Sequence, residues 1–382
     1  MANRLIIIGG GVLGTFHAYH ALEHGFAVTL FEKDTQPRGA TTQNFGQIVP
    51  SGMDLKWQRY GRRSLALYKE LHRTIGLEMQ QNGSLYVASN PGEWQLLEEL
   101  YQLNQAEGYP SQLLDAAACL RRYPGLKASY CQGGLFFPEE ISVEPRSMIH
   151  RVLHYLAEQR GLAYHPGTLV REVVSCHGGC RVIDHRGRTH EADQVLICSG
   201  SEFRMLFPEL FAQSPLQAVK IHMMETQPQA HTRIKGNVLT GLTIRRYESF
   251  RACPSHARVT AEDDPQAFWK QWGIHLLFKQ SLDGRVVIGD SHEYADAAVA
   301  DTLGYDLHAP VQAYIRQAAQ EIYDLDTWAM QREWYGVYSQ CKDRDIFQHS
   351  LDAHLHILTG IGGKGMTAGP GFSQAHFTQR FL

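Results

Sequence analysis

The chain opens on an unbroken apolar run, Leu5-Ile6-Ile7-Ile8, which stops at Gly9-Gly10-Gly11. A half-exposed strand would alternate, so this run predicts a strand buried on both faces. A helix is expected over Thr15 to His24, and a second apolar run, Ala27-Val28-Thr29-Leu30-Phe31, ends on an acid, Glu32. The order is therefore strand, glycine turn, helix, strand, acid. In that order Gly9 turns the chain sharply off the first strand, Gly11 lets backbone N–H groups approach a pyrophosphate, and Gly14 lets the helix lie close on the sheet. The helix N-terminus presents its partial positive charge to the phosphates. Glu32 is placed to accept hydrogen bonds from ribose hydroxyls and disfavours a 2′-phosphate. A dinucleotide site follows.

Further along, Met148 to Gln159 is apolar at helical spacing and reads as a crossover helix. Gly167-Thr168-Leu169-Val170 begins a strand, and Ala192 to Gly200 ends another on the small residues Ser199-Gly200, as a cofactor-facing sheet edge requires. Cys176-His177-Gly178-Gly179-Cys180 carries metal-ligating residue types, but its Gly-Gly centre between strand-like segments reads as a hairpin turn, and no second ligand pair lies at zinc spacing. Residues 79–141 and 214–328 differ in pattern: short runs such as Ser84-Leu85-Tyr86-Val87 and Arg285-Val286-Val287-Ile288-Gly289, broken by turn residues, predict an antiparallel sheet with a few helices. Near the C-terminus, His356 to Thr359 leads into the glycine-dense segment Gly360 to Thr367, with a helix expected over Gly371 to Phe381. Glycines at this density suggest a planar ligand pressed against bare backbone.

A chain of 382 residues, 43% of them hydrophobic, suits two domains. A dinucleotide-binding domain is expected over 1–78, 142–213 and 329–382, with a substrate domain inserted as 79–141 and 214–328. The formal charge of −3 gives no reason to expect nucleic acid or an anionic membrane as partner, so any attraction for an anion must be local. Seven scattered cysteines do not form a disulfide framework. With no apolar span of membrane length and no signal pattern at the N-terminus, a cytoplasmic location is expected.

Five segments in this order, Gly9 to Gly14 with Glu32, Ala40 to Gly46, Thr168 to Val170, Ile197 to Gly200 and Gly360 to Thr367, resemble the FAD-dependent D-amino acid oxidase superfamily, with glycine oxidase and monomeric sarcosine oxidase as close members. The resemblance implies an α/β fold: a discontinuous Rossmann-type FAD-binding domain carrying an inserted α+β substrate domain built on an antiparallel sheet. It also implies that FAD is held by Gly9, Gly11, Val12, Leu13, Gly14, Glu32, Lys33, Thr41, Thr42, Asn44, Phe45, Gly46, Val170, Ser199, Gly200, Gly362, Gly363, Lys364, Gly365, Met366 and Thr367. Leu135 to Arg146, Arg245-Arg246-Tyr247 and Gly289 to Tyr294, together with Gly362 to Thr367, are similar to a bacterial subgroup associated with phosphonate breakdown.

The activity so implied is oxidation of the C–N bond of a small anionic amine, an aminophosphonate such as 2-aminoethylphosphonate or an N-alkyl derivative. Hydride passes to flavin N5, the imine hydrolyses to an aldehyde, and oxygen or another acceptor takes the electrons with peroxide release in the oxygen case. A glycine, sarcosine or D-amino acid oxidase and a flavin-binding subunit without turnover are the alternatives. Phosphonate oxygens call for Arg, Lys or Tyr donors. Arg246, Tyr247, Lys364 and His222 are the candidates, with Lys364 also a point charge for the flavin; Arg245 and Arg246 read as neighbours on a strand, one of them inward, and His222 and His275 both read as sheet histidines before bases. Trp334, Tyr335 and Tyr338 read as core, one of them available to close the pocket. Two departures from the sarcosine oxidases stand out. Cys341 lies near the position of their flavin-linking cysteine in surroundings that do not match, and Val287 falls where they carry a lysine for oxygen activation.

Overall fold

A computed structural model of the chain describes residues 3–382. The first strand, Arg4–Ile8, pairs in parallel with Ala27–Phe31 on one side and Gln194–Ile197 on the other. The full six-stranded order runs Phe347–Ser350, Leu355–Thr359, Gln194–Ile197, Arg4–Ile8, Ala27–Phe31, Ala163–His165. Leu5 and Ile7 pack on the helical side of this sheet and Ile6 and Ile8 on the opposite side, beneath a three-stranded antiparallel layer, Val170–Cys176, Gly179–Asp184 and Thr189–Ala192. Burial on both faces is why the first run is apolar without alternation. The hairpin expected at Cys176–Cys180 forms, Cys176 opposite Gly179.

The helical side is a layer of Val12–Glu23, Leu55–Ile75, Pro145–Gln159 and the C-terminal Gly365–Phe381. The first helix begins three residues before the expected Thr15, directly after Gly11. The last begins at Gly365, not Gly371. Its glycines weaken intrinsic helix propensity, but packing against two helices overrides propensity here. A Cβ at Gly371 would run into Tyr60 O, and Gly369 lies against Val12, so part of the glycine density serves helix–helix contact.

The second sheet has nine strands. Its long strand Leu216–Thr226 pairs antiparallel with Met330–Cys341 along one edge and with Val286–Gly289 and Glu293–Asp296 along the other. The sheet thus extends past residue 328 into the third segment assigned to dinucleotide binding, because Met330–Cys341, half-buried along most of its length, finds its ladder on Leu216–Thr226. Helix Ala309–Ile322 covers one face through Val311, Ile315 and Ala319. The other face, with Val219, Ile221, Met223 and Leu277, looks toward the first domain. No helix among the described residues is long and apolar enough to cross a membrane.

The first and last helices meet through two histidines: His17 Nε2 lies 2.9 Å from His376 Nδ1. Burial, then the neighbouring imidazole, pushes His17 well below the ordinary histidine range; burial and then Arg380 push His376 down to about 4. Both are neutral in the fold, whereas the unfolded chain protonates them below about 6.5. Stability therefore falls as pH drops from about 6.5 toward 4, by up to ~1.4 kcal/mol per pH unit for each group. Urea unfolding at pH 7, 6 and 5 should show this loss, and His376→Gln, which cannot charge, should reduce the slope; an unchanged slope would exclude the pair as its source.

Candidate active site

The turn after the first strand is held from both sides. Gly9 adopts φ +106°, and a side chain there would run into Cys198 O. The buried Glu32 carboxylate accepts from Gly10 N at 2.9 Å and Asp34 N at 3.0 Å, and Thr41 Oγ1 accepts from Val12 N at 3.0 Å. From this turn a single cavity of about 1040 Å³ runs past Thr168-Leu169-Val170 and Ser199-Gly200, along Arg38 to Gly46, beneath Gly360 to Thr367, and into a chamber against the inner face of the second sheet.

All but two of the residues assigned to the cofactor by resemblance line this cavity. Gly14 does not, because its place is against Gly9 O, where a Cβ could not fit. Thr42 turns its hydroxyl to Gly39 O. The cavity fits an extended dinucleotide on chain features alone: backbone approaches closest where glycine is required, Glu32 stands at the ribose position, and Ser199 Oγ is buried without a partner among the described residues. Lys33 lines the same end and pairs with Asp34 at 2.7 Å.

The chamber takes its polar groups from the second domain. Arg246 ends the helix Gly241–Arg246 rather than lying on a strand, and helical rotation separates it from Arg245. Arg245 is spent on Glu93, at 2.9 Å, and on Asp263. Arg246 lines the cavity, donates to Tyr294 Oη at 2.9 Å and, among the described residues, forms no ion pair. Tyr247 and Tyr338 line the cavity too, and burial pushes both phenols well above their usual range, so they remain donors. Trp334 and Tyr335 do not reach it.

Two of the anticipated site residues are engaged elsewhere. His222 faces away from the cavity: Ile221 lines it, and strand alternation turns His222 to the opposite face, where Nδ1 lies 2.8 Å from Ser291 Oγ. Burial, then Lys220, pushes its imidazole down to about 4. Lys364 lines the cavity, but its ammonium pairs with Glu248 at 2.7 Å and Asp345 at 3.7 Å, so its charge is answered at the rim. Val287 is packed into the apolar inner face and Cys341 borders the cavity beside Gly360.

Asp290, His292 and Tyr294, from the phrase Gly289 to Tyr294 but not among the expected site residues, share the chamber with His275 and Leu277. His275 Nε2 lies 2.8 Å from Asp290 Oδ1. Burial works against the Asp290 carboxylate, but the adjacent His275 and His292 and the Arg246 charge outweigh it and hold the group below its ordinary value. Burial, then Arg246, drives His292 down to about 3, and with its Nδ1 3.0 Å from Gly273 O its Nε2 is left as an acceptor. An acid at the end of the apolar strand Val286–Gly289 was the available signal.

A parallel sheet with its glycine turn, joined by one cavity to an antiparallel sheet that supplies the polar groups, defines a two-domain flavin-dependent oxidoreductase. The family described as FAD dependent oxidoreductase matches residues 4–376, and the chain belongs to it; FAD is its cofactor. The chain is similar to glycine oxidase of Geobacillus kaustophilus, 27% identical over 204 residues covering 51% of this chain and 54% of that protein. It is 29% identical to human mitochondrial sarcosine dehydrogenase over 147 residues, 37% of this chain and 16% of that protein. These matches cover less than two thirds of either relative. The solved structure of the Geobacillus glycine oxidase superposes with a TM-score of 0.77 at 18% identity, over 99% of this chain and 95% of that one, which shows a shared fold.

Two substitutions separate the cavity from the scaffold. Gly11→Val leaves the fold intact but fills the pyrophosphate approach, so the purified protein should be colourless yet melt cooperatively. Gly14→Ala forces the helix off Gly9 O and should abolish soluble expression. Retained yellow colour in Gly11→Val would show that the dinucleotide does not cross that turn. Glu32→Ala should weaken FAD binding about 10- to 150-fold, the loss of a charge-assisted hydrogen bond worth ~1.5–3 kcal/mol, without altering substrate preference. Titration of the apoprotein with FAD measures it, and an unchanged affinity would mean the acid does not meet the cofactor.

Proposed function

We propose that this protein is an FAD-dependent amine oxidoreductase acting on a small anionic primary or secondary amine, an aminophosphonate such as 2-aminoethylphosphonate or an N-alkyl derivative. The observation that carries this reading is Arg246: a guanidinium facing the cavity, with no carboxylate partner among the described residues, is a receptor for an anion brought by the substrate. The relatives support the class, since glycine and sarcosine each carry an amine and an anionic group.

A phosphonate has three acceptor oxygens and up to two charges. Arg246 with the phenols of Tyr247, Tyr294 and Tyr338 offers more donors than a carboxylate can use. Bound FAD supplies the two-electron acceptor for the C–N bond and returns the electrons to oxygen or another acceptor. The chain's part is orientation: the anion end is fixed at Arg246, while Phe45, Ile221 and Leu277 give the chamber apolar walls that exclude water. The N-terminus of Gly365–Phe381, at the cavity's edge, contributes positive potential. The imine product hydrolyses to an aldehyde with release of ammonia or the alkylamine.

Anaerobic reduction of the flavin by a panel of 2-aminoethylphosphonate, its N-methyl derivative, glycine, sarcosine and D-alanine tests the reading. Rapid bleaching by an aminophosphonate is expected. Bleaching by the carboxylates alone would replace the phosphonate with an amino acid, and no bleaching by any would favour a flavin-binding subunit. Arg246→Ala should raise KM about 10- to 150-fold, from ~1.5–3 kcal/mol of lost charge-assisted bonding, with a smaller change in the limiting reduction rate. Arg246→Lys should recover part of it, because a single ammonium matches an oxygen pair less well than the guanidinium fork. Unchanged kinetics in Arg246→Ala would place the anion elsewhere.

A further inference from the structure

A chamber that fixes only the anion would accept any anion of the right size. The opposite charge stands in the same chamber. Asp290 and His275 face one another across adjacent chain segments, their backbones joined by His275 N to Asp290 O at 3.0 Å and Asp290 N to His275 O at 2.8 Å. That pairing projects the carboxylate and the imidazole side by side into the cavity.

The groups around the imidazole decide how it is used. Thr243 Oγ1 donates its one proton to Leu276 O at 3.1 Å, so at the 3.3 Å contact with His275 Nδ1 it accepts, and Nδ1 carries a hydrogen. Nε2 then faces Asp290 Oδ1 at 2.8 Å, and His292 Nδ1 stands 4.0 Å from the same oxygen. Oδ1 is thus buried against the two imidazoles and held by His275, while Oδ2 has no partner among the described residues and is the oxygen left to the cavity. A carboxylate paired through one oxygen and buried on that side can offer the other to a cationic or donor group of a ligand. Asp290 is 7% exposed, and what it borders is the cavity.

We infer that Asp290 is the residue that receives the substrate's amino group, with His275 as the positioning residue that orients the carboxylate. The inference rests on the reading of the substrate as a small anionic amine. The chamber is then a dipolar receptor, cationic at Arg246 and anionic at Asp290, and it selects molecules carrying both an amine and an anion. Simple anions satisfy one end and leave Asp290 unanswered. Unpaired amines leave Arg246 so.

Matched ligand pairs test this on the FAD-loaded protein. One pair is 2-aminoethylphosphonate and ethylphosphonate; the other is glycine and acetate. Affinity is read from the concentration dependence of anaerobic flavin reduction for the amines and from competitive inhibition for their amine-free analogues. In the wild type the amine should bind at least tenfold tighter than its analogue. In Asp290→Asn that advantage should shrink to about twofold, while the analogue's affinity stays within twofold of wild type. His275→Gln should fall between. Equal affinities within a pair in the wild type overturn the assignment even where Asp290→Asn fails to fold, as does a parallel loss for both members in Asp290→Asn. A wild type that binds only the glycine–acetate pair refutes the phosphonate reading and leaves Asp290 judged on that pair by the same criterion. A wild type that binds neither pair refutes both.

Discussion

The first helix can serve the cavity only because it lies at backbone distance from the first strand. Gly14 sits where any Cβ would strike Gly9 O, and that contact sets the height of the helix N-terminus above the sheet. The same economy of side chains is repeated outward. Gly369 of the last helix rests on Val12 of the first, and Gly371 rests on the backbone of Leu55–Ile75 at Tyr60. Strand, first helix, last helix and second helix are thus stacked through small residues, and a displacement at one level moves the next. The segment Gly360 to Thr367 enters the last helix at Gly365, so its position along the cavity follows from this stack.

How much of this could be read in the residues depends on whether a local pattern has one structural solution. The opening strand, turn and acid have one: a run buried on both faces, glycines at fixed spacing and a carboxylate whose acceptors are matched by Gly10 N and Asp34 N. The last helix has two, because glycine-rich segments near a ligand and glycine-rich segments between packed helices look alike until the partner helix is in view. Residue parity is harder still. Ile221 and His222 differ by one position, and which of them meets the cavity is set by the register of Leu216–Thr226 against Met330–Cys341, a pairing across more than a hundred residues of sequence. Arg245 and Arg246 pose the same question on a helix, and the answer comes from Glu93 and Asp263, which claim Arg245. Asp290 shows in the sequence only as an acid ending the strand Val286–Gly289, and its role in the chamber comes from His275, on a different segment.

The charged groups around the chamber sort by whether a partner already answers them. Lys279 is buried and donates to Val143 O at 2.9 Å, near Glu144; burial pushes its ammonium below the ordinary range. Lys220 is held by Leu303 O and Asp306 O at 2.8 and 2.7 Å. Lys364 is bound to Glu248. Each of these cations is therefore structural in its bonding, and adding an anion beside it would displace a bond already made. Arg246 differs because its strongest contact is a neutral phenol, Tyr294 Oη, which lets an incoming anion gain the full charge-assisted interaction. Its own field acts on its neighbours as well: it lowers His292 and supports the ionised form of Asp290. Burial with Arg246 thus keeps the His292 imidazole neutral, and His275 with its neighbours, Arg246 among them, keeps the Asp290 carboxylate charged, both within reach of the same small molecule.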